Sequence, residues 1–439
     1  MANKLLLRQT FEQLLEAITP QSLISQHCSL NGTHLCIQEH SYDLSSYKRV
    51  ILMGSGKAVV PMAEALHRLI GEYIDTTLLV GAYDAEVALA NTKYIQSTHP
   101  LPSQKSLDSA IQIQELLAST CEDELVIYLL SGGNSALVEL PQEPITLEEF
   151  QETTSLMLKG GMPIEKINCV RKHLSQVKGG KLATKTKAKI ALLVLSDVIG
   201  DDLQAIGSAP FYYDSSTFED AIDALKKYKL FEKIPQSVQS YLEAGVAGLQ
   251  SDTPKAPSQH VQHFVIGSNK MVLQTAKALL TKSNIPTTII TEPIQGDTLS
   301  VTNSLLDLLA SHKGEKECYI LGGESTVTVQ GEGRGGRNQH LCLSFLHHFS
   351  GEGEFCFLSA ATDGIDGNSD ATGALIDIHS RADALSKTLD VQHYLQTFNS
   401  NAFFDATGEL LVCGPTHNNL LDIVMLLVES HPTTGAEHG

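Results

Sequence analysis

The sequence predicts an α/β protein: a doubly wound parallel sheet in the N-terminal part, followed by a second, smaller α/β domain. Three observations point there. Short runs rich in Leu, Ile and Val alternate with amphipathic stretches along most of the chain, several of those runs end in glycine-rich turns that open a helix, and a polar stretch with two prolines splits the pattern in two. Such alternation marks βαβ units, because a parallel strand needs a crossover, usually a helix, to return to the same edge. With 439 residues the chain exceeds one ordinary core and suits two.

Taken in order, strands are predicted over 49–53, 76–80, 125–130 and 190–195. Helices are predicted between them over 59–70, 103–117 and 147–159, where apolar residues recur every three or four positions. The run Gln250-Ser251-Asp252-Thr253-Pro254-Lys255-Ala256-Pro257-Ser258-Gln259 is the predicted linker, placing the domains at 1–255 and 260–431. After it the alternation restarts: strand 264–266 and helix 269–280, strand 287–291 and helix 299–309, then strand 318–321 turning at Gly322-Gly323 into another strand. Residues 432–439 offer no apolar face and are expected to fray.

Charge narrows the function. Lys plus Arg number 31 against 50 Asp plus Glu, a net −19 that repels nucleic acid and anionic membrane surfaces. An anionic substrate would need a local positive pocket. The eight cysteines form no C-x-x-C pair and sit mostly in apolar runs, as buried reduced thiols do. The first residues lack a signal-peptide core and no run approaches the ~18 apolar residues of a membrane span, so a bacterial-type cytoplasm is expected.

Chemistry is suggested at five turns. The first strand runs into Gly54-Ser55-Gly56-Lys57-Ala58. This resembles an anion-binding strand–helix turn with exposed N–H groups, yet it is no Walker A loop, since Ile51 and Ala58 occupy its Gly and Ser/Thr positions, and Val59 breaks a dinucleotide fingerprint. A plain tight turn with a solvated Lys57 stays open. The strand 125–130 ends in Ser131-Gly132-Gly133-Asn134-Ser135, a phosphate or carboxylate cradle or a structural turn; Leu137 stands where a nucleophile elbow would have its second glycine. After the strand 190–195 come Asp197, Asp201 and Asp202, carboxylates suited either to Mg²⁺ or to capping a turn. Asp197 is the stronger metal candidate and Asp202 the second. Upstream, Arg171, Lys172, His173, Lys178 and Lys181 concentrate positive charge, either solvated or anion-binding.

In the second domain Gly323-Glu324 precedes Gly331-Glu332-Gly333-Arg334-Gly335-Gly336-Arg337-Asn338-Gln339, glycines that permit close backbone approach around guanidinium forks. Finally, 361–370 carries Asp363, Asp366 and Asp370 after a strand, without the pattern of an EF-hand. Together these loops lead us to expect an interdomain cleft for a phosphorylated ligand.

The order and wording of the segments resemble the glycerate 2-kinase family, whose C-terminal half carries the MOFRL domain. The resemblance rests on Met53-Gly54-Ser55-Gly56-Lys57-Ala58, His99-Pro100-Leu101-Pro102, Ser131-Gly132-Gly133, Val170-Arg171-Lys172-His173-Leu174-Ser175, Lys178-Gly179-Gly180, Ser196-Asp197-Val198, Gly335-Gly336-Arg337-Asn338-Gln339 and Thr362-Asp363-Gly364-Ile365-Asp366-Gly367. It implies a Rossmann-like N-terminal domain and phosphorylation of D-glycerate by ATP with Mg²⁺, in a monomer or homodimer. Lys57 and Arg337 match the family's catalytic cations, and Asp197 its strand-end acid, which as a base would accept the 2-hydroxyl proton. Departures occur at Gln295-Gly296-Asp297-Thr298-Leu299, at Ala209-Pro210-Phe211 and at Asn134. Two rivals are an NAD(P)H-dependent hydroxypyruvate reductase and a non-catalytic sugar-acid sensor.

Overall fold

The computed structural model describes residues 2–351 and 353–429. The chain divides into two compact units, Leu23–Ile266 and a second made of Met1–Ser22 with Gly267–Gly439. The first begins with a small antiparallel meander, β1 (Cys28–Asn31), β2 (His34–Ile37) and β3 (His40–Asp43). Six strands build its main sheet: β4 (Val50–Ser55), β5 (Ile74–Gly81), β6 (Thr92–Gln96), β7 (Leu125–Leu130), β8 (Lys189–Leu195) and β9 (Val261–Gly267).

Their order across the sheet is β6-β5-β4-β7-β8-β9, and the pairs β5–β6, β4–β5, β4–β7 and β7–β8 run parallel. The chain therefore winds one way from β4 and the other way from β7. Such a reversal is a topological switch point, where open α/β sheets bind ligands beyond the carboxyl ends of their strands. β4 and β7 are buried along their whole length, as parallel strands covered on both faces must be. The helix Val59–Ile70 packs on β4, β5 and β7, while Ile51, Met53, Val126, Tyr128, Ile190 and Val194 meet Ala110, Ile113 and Leu117 of the helix Gln104–Ala118. That helix starts at a capping box between Ser103 and Ser106, and the helix Leu147–Lys159 starts at another between Thr146 and Glu149.

The second unit holds β10 (Thr287–Ile289), β11 (Glu317–Gly323), β12 (Glu354–Ala361), β13 (Gly373–Asp377), β14 (Leu410–Leu411) and β15 (Asp422–Glu429) in the order β10-β11-β15-β12-β13-β14. β15 runs antiparallel to both β11 and β12, so this sheet is mixed. Gly322 and Gly323 do not turn the chain into another strand, as the sequence suggested. They are the last residues of β11, in register with Ile423 and Asp422.

Two segments fall elsewhere than the division at 255/260. The proline-bearing run 250–259 lies inside the first unit, because β9 follows it and joins the first sheet. The helix Ala2–Ala17 goes with the second unit: it buries Leu7, Phe11 and Leu14 and packs on β12, β13 and the helix Asn269–Lys282. Lys4 anchors it through Glu409 at 2.6 Å and Asp377 at 3.3 Å. An amphipathic helix settles on whichever apolar face is left open, whatever its distance in sequence. The eight cysteines are free, but Cys121 and Cys413 are exposed and Cys36 half-buried, against the expectation that all are interior. Among the described residues no helix is long and apolar enough to cross a membrane. The tail 432–439 lies outside the described residues.

Candidate active site

At the switch point the turns after β4 and β7 are tied to each other. Lys57 N–H donates to Gly132 O (2.9 Å), Ala58 N–H to Ser131 Oγ (3.0 Å), and Gly56 N–H to Val80 O at the end of β5 (3.0 Å). These amides are spent on the scaffold, so the turn is not the open N–H cradle expected around Gly54, Ser55 and Gly56. Gly54 and Ser55 lie within buried β4. Ser55 donates to Asn134 Oδ1 (2.6 Å), Asn134 Nδ2 donates to Gly207 O (3.1 Å), and Tyr128 completes the chain at Ser55 Oγ (2.6 Å). Ser55 and Asn134, expected to touch ligand, instead make a buried polar floor that fixes the two turns.

What stands above that floor is a group of three side chains around Gly132-Gly133. A β-carbon on Gly133 would lie 3.2 Å from His99 Cδ2 and 3.3 Å from Lys57 Cγ; one on Gly132 would overlap Asp197 Oδ2. Gly133 also has φ +86, as the cap of the short helix Asn134–Leu137. Side chains at 132 or 133 would therefore displace the acid, the ammonium stem or the imidazole. Burial raises the carboxyl of Asp197 above its usual range, with the charge of Lys57 pulling the other way. Burial and then Lys57 lower the imidazole of His99, which keeps it neutral near pH 7. Lys57, Asp197 and the Gly132-Gly133 turn were legible in the sequence; His99 was quoted but given no role.

The cations of 171–181 turn inward instead. Lys172 pairs with Asp214 at 3.2 Å and is buried. Lys178, 1% exposed, meets Glu139 at 2.9 Å and donates to the carbonyls of Ser135 (2.9 Å) and Val138 (3.2 Å); burial lowers its ammonium to about 8. Arg171 Nη2 donates to Ser135 O (2.9 Å), and Ser135 Oγ shares a hydrogen bond with Ser208 Oγ (2.8 Å). Arg171 and Lys178 thus brace the Ser131–Ser135 turn from behind and Lys172 is an internal partner of Asp214, all three corrected from ligand binders. Sequence could not show this, because their partners lie tens of residues away.

In the second unit the register places Asp422 between Gly323 of β11 and Ala361 of β12. Glu324 and Asp363, which follow those strands by one and two residues, therefore come to the same sheet end. Arg337 opens the helix Arg337–His348 and reaches across: Nε donates to Asp422 Oδ2 (2.5 Å), and Nη2 to Asp422 Oδ1 (3.0 Å) and Glu324 Oε1 (2.6 Å). Burial alone would lower this guanidinium, but the hydrogen bonds and charges of Asp422 and Glu324 hold it above its ordinary value. About a third of the side chain is exposed. Asp422 escaped the sequence reading, since one Asp before an apolar run carries no local signal.

Asn338, expected to bind ligand, is buried: Nδ2 donates to Asp366 (3.3 Å) and Oδ1 accepts from Ser359 (2.6 Å). Asp366 also accepts the N–H groups of Asn338 (3.0 Å) and Gln339 (2.8 Å) and the Gln339 amide (2.9 Å), capping the helix that presents Arg337. Burial pushes its carboxyl up to about 6, against the pull of those donors. Asp366→Ala should lower unfolding stability by about 3 kcal/mol, because buried donors lose their acceptor; urea unfolding at pH 8 measures it, and Asp366→Asn should recover part.

Asp202, the second metal candidate, is exposed, and its carboxylate accepts Gln204 N–H (2.9 Å) in a turn-forming role. Asp363 similarly accepts Ile365 N–H (3.1 Å). Among the described residues no group of three or more His, Cys, Asp or Glu converges as a metal site.

Comparison with known proteins gives the family of the chain. Residues 6–243 match the model of a domain of unknown function, DUF4147, and residues 317–422 that of the MOFRL family. The chain is 33% identical to the glycerate 2-kinase of Pyrococcus horikoshii over 95% of its own length and 96% of that protein's. It is 36% identical to the D-glycerate 2-kinase of Thermotoga maritima, covering 87% of this chain and 91% of the relative. The chain belongs to the glycerate 2-kinase family. The crystal structure of Thermotoga maritima glycerate kinase superposes with a TM-score of 0.85 at 33% identity, covering 97% of this chain and 99% of that one. A relative from Agrobacterium vitis, 33% identical over 87% of this chain and 99% of its own, is named a putative hydroxypyruvate reductase. In this glycerate 2-kinase family member, Lys57 and Asp197 flank adjacent glycines of one turn in the first unit, and Arg337 is fixed by Asp422 and Glu324 in the second.

Proposed function

We propose that this chain transfers the γ-phosphoryl group of ATP, supplied with Mg²⁺, to the 2-hydroxyl of D-glycerate, giving 2-phosphoglycerate and ADP. The observation that carries the reading is that Asp197 flanks Gly132 and Lys57 flanks Gly133, adjacent glycines at the switch point of the parallel sheet. Asp197 takes the hydroxyl proton as the oxygen attacks phosphorus. Lys57 neutralises charge on the phosphoryl oxygens, and Arg337 is assigned the same kind of work. Mg²⁺ would ride on the nucleotide phosphates, which suits an ion that keeps water and phosphate ligands and needs few from protein; Asp197, just past the carboxyl end of β8, is the first-unit carboxylate that would face it.

A reductase reading has one relative's name behind it. Against it, the amides of 56–58 are spent on Val80, Gly132 and Ser131, so a dinucleotide pyrophosphate has no N–H groups to rest on there. At 56–58 a nucleotide phosphate would therefore be met by the Lys57 side chain rather than by backbone N–H groups. The test is a pair of assays on one preparation. ADP release that requires D-glycerate supports the kinase; NADH oxidation with hydroxypyruvate in the absence of ATP rejects it. Lys57→Ala should lower kcat by ~10²-fold with a smaller change in KM for glycerate, since its charge acts most strongly in the transition state.

A further inference from the structure

A cavity of about 470 Å³ opens in the first unit at the amino ends of β8 and β9, beside β3. Among its lining residues are Lys187, Lys189, His40, His260 and one carboxylate, Glu122. Asp197 follows the opposite end of β8, about 20 Å away along the strand. The cavity therefore lies apart from the Gly132-Gly133 turn.

Its charge is unusual for this molecule. The chain carries a net −19, yet two ammonium groups share this cavity with a single carboxylate, and two imidazoles add hydrogen-bonding nitrogens. Glu122 approaches Lys187 only to 3.9 Å, with both side chains exposed, so it neutralises little. The other side chains have their own supports. Lys189 lies 5.8 Å over the Tyr47 ring, His40 meets Phe264 edge to face at 5.2 Å, and His260 Nε2 sits 3.1 Å from Ala183 O. None of these contacts brings a compensating negative charge. The volume suits a small metabolite, and Tyr42 with Gln259 adds hydrogen-bonding groups to the wall.

We propose that this cavity is a second anion site, taking a compact multivalent phosphoryl compound such as a phosphate ester or pyrophosphate, separate from the place of phosphoryl transfer. Lys187 and Lys189 supply charge to it from residues two apart at the start of one strand.

The test is a calorimetric titration of the full chain with pyrophosphate in the presence of saturating ADP, repeated on Lys187→Glu and Lys189→Glu. The expected result is saturable binding that ADP leaves intact and that each charge reversal weakens by about ten-fold or more, while KM for ATP stays unchanged. Lys187 is exposed at a strand approach, so its reversal leaves folding intact even if the other variant does not. The proposal is overturned by absence of saturation up to ~10 mM pyrophosphate, by displacement with ADP, by binding indifferent to both variants, or by citrate binding as tightly as pyrophosphate.

Discussion

Asp197→Asn is expected to lower kcat by ~10³-fold while KM for D-glycerate changes by no more than a few-fold. The substitution keeps the side chain's size beside Gly132, where a β-carbon would already overlap Oδ2, so the turn should hold its shape. What it removes is the capacity to accept a proton. The pH profile gives a second readout that a purely structural role would not move. Burial raises the carboxyl of Asp197, and a base works only when ionised. Activity should thus fall as pH drops through a limb lying above the ordinary carboxylate value, and the asparagine variant should lose that limb. A wild-type limb that survives the substitution would assign it to another group.

Arg337→Lys should lower kcat by ~10²-fold or more. The guanidinium grips Asp422 with two nitrogens and Glu324 with one of them, a planar fork that fixes its remaining face. Lysine keeps the charge, so Asp422 is not left buried opposite nothing, an outcome that would cost several kcal/mol and obscure the kinetics. It cannot keep the fork. A thermal melt within a few degrees of wild type, combined with near wild-type turnover, would remove Arg337 from the mechanism.

Much of the first unit could be read from the chain because its information is local. Strands such as 125–130 are continuous apolar runs, helices such as Leu147–Lys159 begin with a capping pair three residues apart, and the turns between them are spelled in glycine. Lys57, Asp197 and Arg337 stood out as charged residues beside those turns. What could not be read depends on partners distant in sequence. Lys172 and Lys178 look like surface charge until Asp214 and Glu139 close on them. Asn338 looks like part of a binding loop until Asp366 and Ser359 turn it inward.

Asp422 is the clearest case. Its position is set by the antiparallel seating of β15 between β11 and β12, a register that no local pattern states. The helix Ala2–Ala17 escaped for a related reason: its apolar face is evident, but the surface it covers belongs to residues more than 250 positions later.

The most direct test of the whole account is phosphorus NMR of the product formed from D-glycerate and ATP·Mg²⁺ by the full chain. A new resonance matching 2-phosphoglycerate, growing in step with ADP, is the predicted result. A resonance of 3-phosphoglycerate, or ATP left intact while NADH reduces hydroxypyruvate, would contradict it.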